Sequence, residues 1–253
     1  MAAQQVDRVV MITGGSRGIG AATARLAAAQ GYAVCVNYTR DATAAGRIAG
    51  AIVADGGRAI AVKADVADEA EVVALFATCD RELGRISALL NNAGVVAPAA
   101  RVDQMDAERI LRILHINVLG AFLAAREAVR RMSTRHGGAG GVIVNISSAA
   151  ARLGAPAEYV DYAASKGAID TMTVGLAREV AAEGIRVVGI RPGLIDTDIH
   201  ASHGAVGRVE RLAPAVPVGR AGSAEEVARA AIWLMGDEAS YVTGTTLDVA
   251  GGR

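Results

Sequence analysis

The run Tyr162-Ala163-Ala164-Ser165-Lys166 sets a phenol and an ammonium four residues apart in an alanine-rich stretch without proline. It continues through Gly167 to Met172 with apolar residues at helical spacing, so the whole reads as a helix. Four residues is about one helical turn, and the two side chains share a face. An ammonium beside a phenol favours the phenolate, which predicts a tyrosine pKa below its ordinary value near ~10. A group that gives or takes a proton near neutral pH needs that adjustment. The chain has five tyrosines but two lysines, Lys63 and Lys166, amid many arginines. A lysine is a compact, titratable charge where arginine is a fixed fork, so its choice here is chemically informative. Tyr159 competes for the role, but Ala163 stands four residues after it.

A second candidate site lies near the start. Arg8 to Thr13 is a short apolar run that ends in Gly14-Gly15-Ser16-Arg17-Gly18-Ile19-Gly20, and Ala21 to Gln30 reads as a helix. Strand, glycine turn and helix together make a phosphate-binding site: glycines admit a pyrophosphate close to the backbone, and the helix start offers free N–H groups. The spacing Gly14-x-x-x-Gly18-x-Gly20 differs from the commoner G-x-G-x-x-G. In sites for NAD an acid about 20 positions on binds the ribose hydroxyl. Here the second strand ends Asn37-Tyr38-Thr39-Arg40, with no carboxylate between Ala33 and Arg40.

The intervening elements must bring these two regions together. Strands are expected at Tyr32–Asn37, Ala59–Lys63, Ala88–Leu90, Val142–Ile146, Ile185–Ile190 and Thr245–Val249, with Arg191-Pro192-Gly193 stopping the sixth. Helices are expected at 41–54, 68–83 with Asp68 as cap, 106–135 and 224–235 with Ser223 as cap. Alternating strands and helices mean βαβ units, hence an α/β fold: a doubly wound sheet of about seven parallel strands with helices on both faces. The stretch 194–222, with His200, His203, Pro214 and Pro217, reads as a mobile cover over the site rather than a packed element. No repeat or linker is evident, so residues 1–253 are expected to form one domain.

Composition narrows the functions. Formal net charge is zero, which calls for neither nucleic acid nor an anionic membrane. Hydrophobic residues make up 52% of the chain and aromatics 3%, so the core is aliphatic and suits close helix–sheet packing. No apolar run reaches the ~20 residues of a membrane span. Met1 to Asp7 is polar and lacks a signal sequence, and Cys35 and Cys79 read as buried thiols of a reduced compartment, pointing to the cytoplasm. His200 and His203 with Asp196 and Asp198 fit no zinc spacing, so no metal is expected. The charge-rich 126–135 segment reads as a solvated or subunit-facing surface.

Taken together, Thr13-Gly14-x-x-x-Gly18-x-Gly20, Asp65, Asn91-Asn92-Ala93-Gly94, Asn117, Ser148, Tyr162-x-x-x-Lys166 and Pro192-Gly193 with Thr197 resemble the short-chain dehydrogenase/reductase family, in its compact branch. The resemblance covers essentially the whole chain. It implies hydride transfer between a nicotinamide and a carbonyl or alcohol, with Tyr162 exchanging the proton. Lys166 then holds the nicotinamide ribose, Ser148 the substrate oxygen, and Asn117 a relay water. It also implies a dinucleotide site drawn from Gly14, Ser16, Arg17, Gly18, Ile19, Gly20, Asn37, Tyr38, Thr39, Arg40, Asp65, Val66, Asn92, Ala93, Gly94, Tyr162, Lys166, Pro192, Gly193, Ile195 and Thr197. A homotetramer is implied as well. With no acid at the Tyr38 position and Arg17 and Arg40 in reach, NADP is the expected cofactor, NAD the lesser choice.

Three features depart from the family pattern. Ser148 to Tyr162 is 14 positions, one more than usual, which keeps Ser147 open as the catalytic hydroxyl. Val188 replaces a usual asparagine. The basic pair that carrier-protein reductases present near the site mouth corresponds here to Arg135 and Glu183, and a glutamate repels an acidic carrier. The expected substrate is therefore a small or medium carbonyl or alcohol. The alternatives are 3-oxoacyl-carrier-protein reduction, a non-catalytic dinucleotide-binding regulator and a sugar-nucleotide epimerase, although no C-terminal substrate domain follows residue 193.

Overall fold

The computed structural model describes residues 8–197 and 207–253. Seven parallel strands form one sheet: β1 (Val9–Ile12), β2 (Ala33–Tyr38), β3 (Ala59–Lys63), β4 (Ala88–Asn91), β5 (Gly141–Ile146), β6 (Ile185–Pro192) and β9 (Thr246–Val249). Their order is β3-β2-β1-β4-β5-β6-β9. A two-stranded pair of β7 (Ile195–Asp196) and β8 (Gly222–Ser223) sits apart from it. Strands such as VVMI of β1 are apolar throughout because helices cover both faces, which is why they do not alternate.

On one face lie α1 (Gly18–Ala29), α2 (Ala42–Ala54) and α8 (Ala224–Met235), through Ala24, Ile48 and Val227. On the other lie α3 (Glu69–Glu82), α5 (Gly120–Met132) and α7 (Val160–Val180), through Phe76, Ala124 and Ile169. Alanines face the sheet along α1, so that helix approaches closely where larger side chains would hold it off. Side chains of Asp41, Asp68 and Ser223 accept the N–H groups of Ala44, Glu71 and Glu226 at the starts of α2, α3 and α8. Ser223 and Glu226 close a reciprocal capping box.

Winding reverses between β1 and β4, which leaves a crevice at the carboxyl ends of the strands, where ligands of such sheets bind. The segments carrying chemistry lie there: 13–17 after β1, 92–94 after β4, and 147–148 after β5. Gly193 follows β6.

Four expectations need correction. Helix α1 begins at Gly18 rather than Ala21, so the glycine turn runs directly into helix. The span 106–135 is broken into α4 (Ala107–Leu114), a π turn (His115–Leu119), α5 and a 3-10 turn at Thr134–His136. Strand β6 continues through Pro192, because proline as the last residue loses a single donor while Gly193 N–H still bonds the Val249 carbonyl at 3.0 Å. Within 194–222, β7 pairs with β8, Arg208–Leu212 is a short helix, and Val216 is buried, so this stretch is packed at both ends. Asp198, His200 and His203 lie outside the described residues.

Gly20 marks the closest packing in the turn. A Cβ there would stand 2.5 Å from the Gly14 carbonyl oxygen and 2.8 Å from Asn92 Nδ2. Since one contact is backbone, Gly20→Ala is expected to cost about 1–3 kcal/mol. Urea denaturation checks this, and an unchanged midpoint would contradict the close-packed turn.

Candidate active site

Helix α7 rises past the end of β5 and sets Tyr162, Lys166 and Ser165 against it. Lys166 is buried, and its Nζ donates to the Ile146 carbonyl, the last of β5, at 2.8 Å. It stands 5.7 Å from the Tyr162 ring centre. The two serines after β5 part company. Ser147 is buried and donates to the Lys166 carbonyl at 3.1 Å, which makes it a strap between strand and helix. Ser148 is partly exposed and its hydroxyl hydrogen-bonds Tyr162. The hydroxyl beside the phenol is therefore that of Ser148.

The electrostatics correct one expectation. The Tyr162 phenol is pushed up rather than down, because burial outweighs the lowering bond from Ser148. The lysine ammonium points to a carbonyl and does not bond the phenol. Burial also lowers Lys166 to about 8, against the raising field of Asp170. Burial thus raises the pKa of the phenol and lowers that of the ammonium, which keeps its charge below about pH 8.

Asn117 sits in the π turn, and its amide is fully engaged. Its Oδ1 accepts from Val95 N–H at 2.8 Å, and its Nδ2 donates to the Val95 carbonyl at 2.9 Å and to Ser165 Oγ at 3.0 Å. The side chain clamps the segment after β4 to α7 and has no donor left for a water. A Cβ on Gly94 would meet Asn117 Oδ1 and Lys166 Nζ at 3.4 Å, ordinary van der Waals contact, so the residue lies directly against both side chains. The expected Asn side chain thus builds the site rather than lining it.

The crevice across β1 and β4 fits a dinucleotide. Gly14 and Gly18 hold positive φ, +63° and +53°, which side-chained residues avoid. Thr13 Oγ1 accepts the N–H groups of Asn92 and Ala93 at 2.9 and 3.0 Å and ties the turn to β4. Asn92 Nδ2 donates to the Thr13 and Gly14 carbonyls. Asn37, fully buried, accepts from Gly14 N–H at 3.2 Å and donates to the Ala64 carbonyl at 3.0 Å. These two amides brace the turn from beneath. Asp65 Oδ1 accepts Ala67 N–H, Thr39 Oγ1 donates to the Ala64 carbonyl, and Val66, Ile195 and Pro192 are buried as walls. Tyr38 and Ile19 pack partly buried against the core.

A groove of about 330 Å³ opens on the turn between α1, α2 and the start of α8. Ser16, Arg17, Gly18 and Thr197 line it, as the sequence suggests, but so do Arg25 and Arg47, which sequence reading missed. Their spacing on two different helices carries no motif; only the packing of α1 beside α2 brings them together. Arg40 is exposed and does not line the groove, and the Asp41 carboxylate beside it caps α2. Asp196 and Glu225 add two acids to the lining. Among the described residues Arg17, Arg25 and Arg47 make no ion pair.

Other side-chain clusters lie away from the crevice or support it. Asp161, buried, accepts from Arg109 Nε at 2.8 Å and from Tyr162 N–H at 2.9 Å, while Arg109 Nη1 donates to the Pro98 carbonyl. The start of α7 is thereby fastened to α4. Ala155 and Ala157 hold φ of +45° and +59° in the enlarged loop between Ser148 and Tyr162, a conformation that costs an alanine about 1 kcal/mol. Arg135 pairs with Glu183 at 3.1 Å, but both precede strand starts, at the edge of the sheet opposite Ser148 and Tyr162. They do not flank the site mouth. The 126–135 segment is not simply solvated either: buried Glu127 gathers Arg126, Arg130 and Arg131, and Arg131 reaches Asp80 on α3. Cys35 and Cys79 are buried together, and the bond from Cys79 pushes the Cys35 thiol well up. No described cluster of His, Cys, Asp and Glu could hold a metal, and no described helix is long and apolar enough to cross a membrane.

Comparison with known proteins agrees with this geometry. Residues 14–253 match the family described as Enoyl-(Acyl carrier protein) reductase. An Escherichia coli K12 protein described as the uncharacterized oxidoreductase YgfF is 54% identical over 245 residues, covering 97% of this chain and 99% of that one. The 3beta-hydroxysteroid dehydrogenase 1 of Eggerthella lenta is 41% identical, covering 97% and 93%. The 3-ketoacyl-(acyl-carrier-protein) reductase from Brucella melitensis, solved with NADH, superposes with a TM-score of 0.89 at 32% identity, covering 97% and 98%. Fold, crevice and sequence agree, and the chain is an oxidoreductase of the short-chain dehydrogenase/reductase family.

Proposed function

We propose that the protein is an NADP-dependent reductase or dehydrogenase acting on a small or medium carbonyl or alcohol. The observation that carries the reading is the convergence of Ser148, Tyr162 and Lys166 at the end of β5, beside a crevice that fits a dinucleotide. Bound nicotinamide supplies or accepts the hydride at the substrate carbon. Ser148 donates to the substrate oxygen and supports the charge that grows there. Tyr162 gives its proton to that oxygen on reduction and takes it back on oxidation. Its raised pKa suits the donor in the reductive direction, since the phenol stays protonated across neutral pH. Lys166 would hold the nicotinamide ribose through its ammonium, and that charge beside the phenol would favour the Tyr162 phenolate. Asn117 acts through the clamp on Val95 and Ser165, so a relay water would hang from backbone in the π turn.

The cofactor preference rests on the arginines of the groove. A 2′-phosphate would meet the Arg17 guanidinium, which makes no ion pair among the described residues, and Arg47 on the facing helix. The two buried thiols suit a reducing cytoplasm. A homotetramer finds support in Leu111 and Leu114 on α4 and Phe122 on α5, apolar side chains left 52%, 37% and 51% exposed.

Tyr162→Phe is expected to lower turnover by about 10²–10⁴-fold while dinucleotide binding persists. Nicotinamide absorbance with a panel of ketones, aldoses and 3-oxoacyl thioesters measures it; wild-type rates in the variant would move the chemistry elsewhere. For the cofactor, charge-assisted bonds of about 1.5 kcal/mol from each of two arginines give roughly 100-fold preference for NADPH in kcat/KM. Arg17→Ala and Arg47→Ala should each reduce it about tenfold, and Arg40→Ala much less. Equal wild-type efficiency with NADH and NADPH overturns this. Light scattering should give about four times the 25.7 kDa chain mass, and Phe122→Asp should lower it; a monomeric wild type contradicts the assembly.

A further inference from the structure

The face of α7 that carries Tyr162 and Lys166 continues to a third ionisable side chain. Asp170 stands four residues after Lys166, so the helix presents phenol, ammonium and carboxylate at successive turns. The carboxylate is partly buried and its two oxygens are treated differently. Its Oδ2 accepts from Arg191 Nε on β6 at 2.8 Å. Its Oδ1 is buried with no hydrogen-bond partner. A buried polar oxygen without a donor is rare and needs a physical reason.

The surrounding charges supply one. Arg191 continues to Asp248 on β9 at 3.5 Å, and Arg152, on a short helix at 150–153, closes on Asp248 at 3.1 Å. Two cations and two anions therefore alternate from the site loop to α7, and the chain ends at Asp170. Around Lys166 the facing groups are Tyr162 and Asp170 on its own helix, the Ile146 carbonyl and Ser147 on the β5 side, Asn117 from the π turn and Gly94 below. Asp170 is the one carboxylate among them.

We propose that Asp170, oriented by Arg191, is the counter-charge that keeps Lys166 an ammonium in its buried position. Asp170 touches neither crevice nor phenol; it is a positioning residue that acts on charge. The inference rests on the proposed role of Lys166 for its functional meaning, because a neutral amine loses its ionic hold on a ribose and its pull on the phenol. The field of Asp170 raises the lysine pKa while burial lowers it. Removing the carboxylate leaves the lowering cause alone. The ammonium is then lost at a lower pH.

The two lysines make the test direct. Protein labelled with ¹³C at the lysine Cε gives two signals, and Lys63, which is exposed, serves as the internal reference. In the wild type, without dinucleotide or substrate, Lys166 should titrate near 8. Asp170→Asn should move that titration down by about one pH unit. Asp248→Asn cuts the outer link but keeps the carboxylate of Asp170, and should leave the Lys166 titration in place. If Asp170→Asn does not fold, the double variant Asp170→Asn with Arg191→Met removes the pair together and must show the same downward shift. An unmoved Lys166 signal in the Asp170 variant, or an equal shift in Asp248→Asn, overturns the proposal. Turnover does not enter this readout. Full activity in Tyr162→Phe would refute the proposed function and leave the titration as it is.

Discussion

An ammonium taken out of water must be paid for, and the site is arranged around that constraint. Lys166 lies buried between α7 and β5, with one bond to the Ile146 carbonyl. A buried lysine tends to lose its proton, and here its pKa is drawn down to about 8. Everything close to it either limits that loss or holds the helix that carries it. Ser147 straps the strand end to the Lys166 carbonyl, Asn117 fixes Ser165 and Val95, and Arg109 with Asp161 pins the start of α7. They set the position of the phenol and ammonium relative to the crevice, which is where small errors are costly in catalysis.

The second constraint is close backbone approach. Asn37 and Asn92 direct their side chains into the glycine turn and satisfy its backbone groups, and the Thr13 hydroxyl ties the turn to the segment after β4. The turn is therefore preformed. Polar side chains in a buried network have to be fully satisfied, and these are. The same economy appears at Asn117, whose amide has no bond to spare. Residues that look like ligand contacts in sequence can thus act one layer behind the ligand.

Much of the fold was legible because its signals are local. Short apolar runs gave all seven strands of the main sheet to within two residues, and the glycine turn, Ser148 and the Tyr162–Lys166 pair lie toward the carboxyl ends of those strands. What sequence could not show depended on packing between distant segments. Arg25 and Arg47 converge only because α1 lies against α2. The break at His115–Leu119 has no proline or glycine within it to mark it, and the Asn117 amide it presents bonds Val95, a residue distant in sequence. The raised phenol pKa reversed an expectation drawn from spacing alone, because spacing does not report burial. Arg135 and Glu183 were matched to a site mouth by position, and the direction of the strands puts them at the opposite edge.

The central proposal is that the buried ammonium of Lys166 would hold the dinucleotide. Its charge is present below its pKa and is lost as pH rises through about 8. The most direct measurement is the affinity for NADPH between pH 7 and 10, followed by nicotinamide fluorescence in the absence of substrate. The account predicts nearly constant affinity at the low end and progressive weakening above about pH 8. An affinity that stays flat through pH 10 would contradict it.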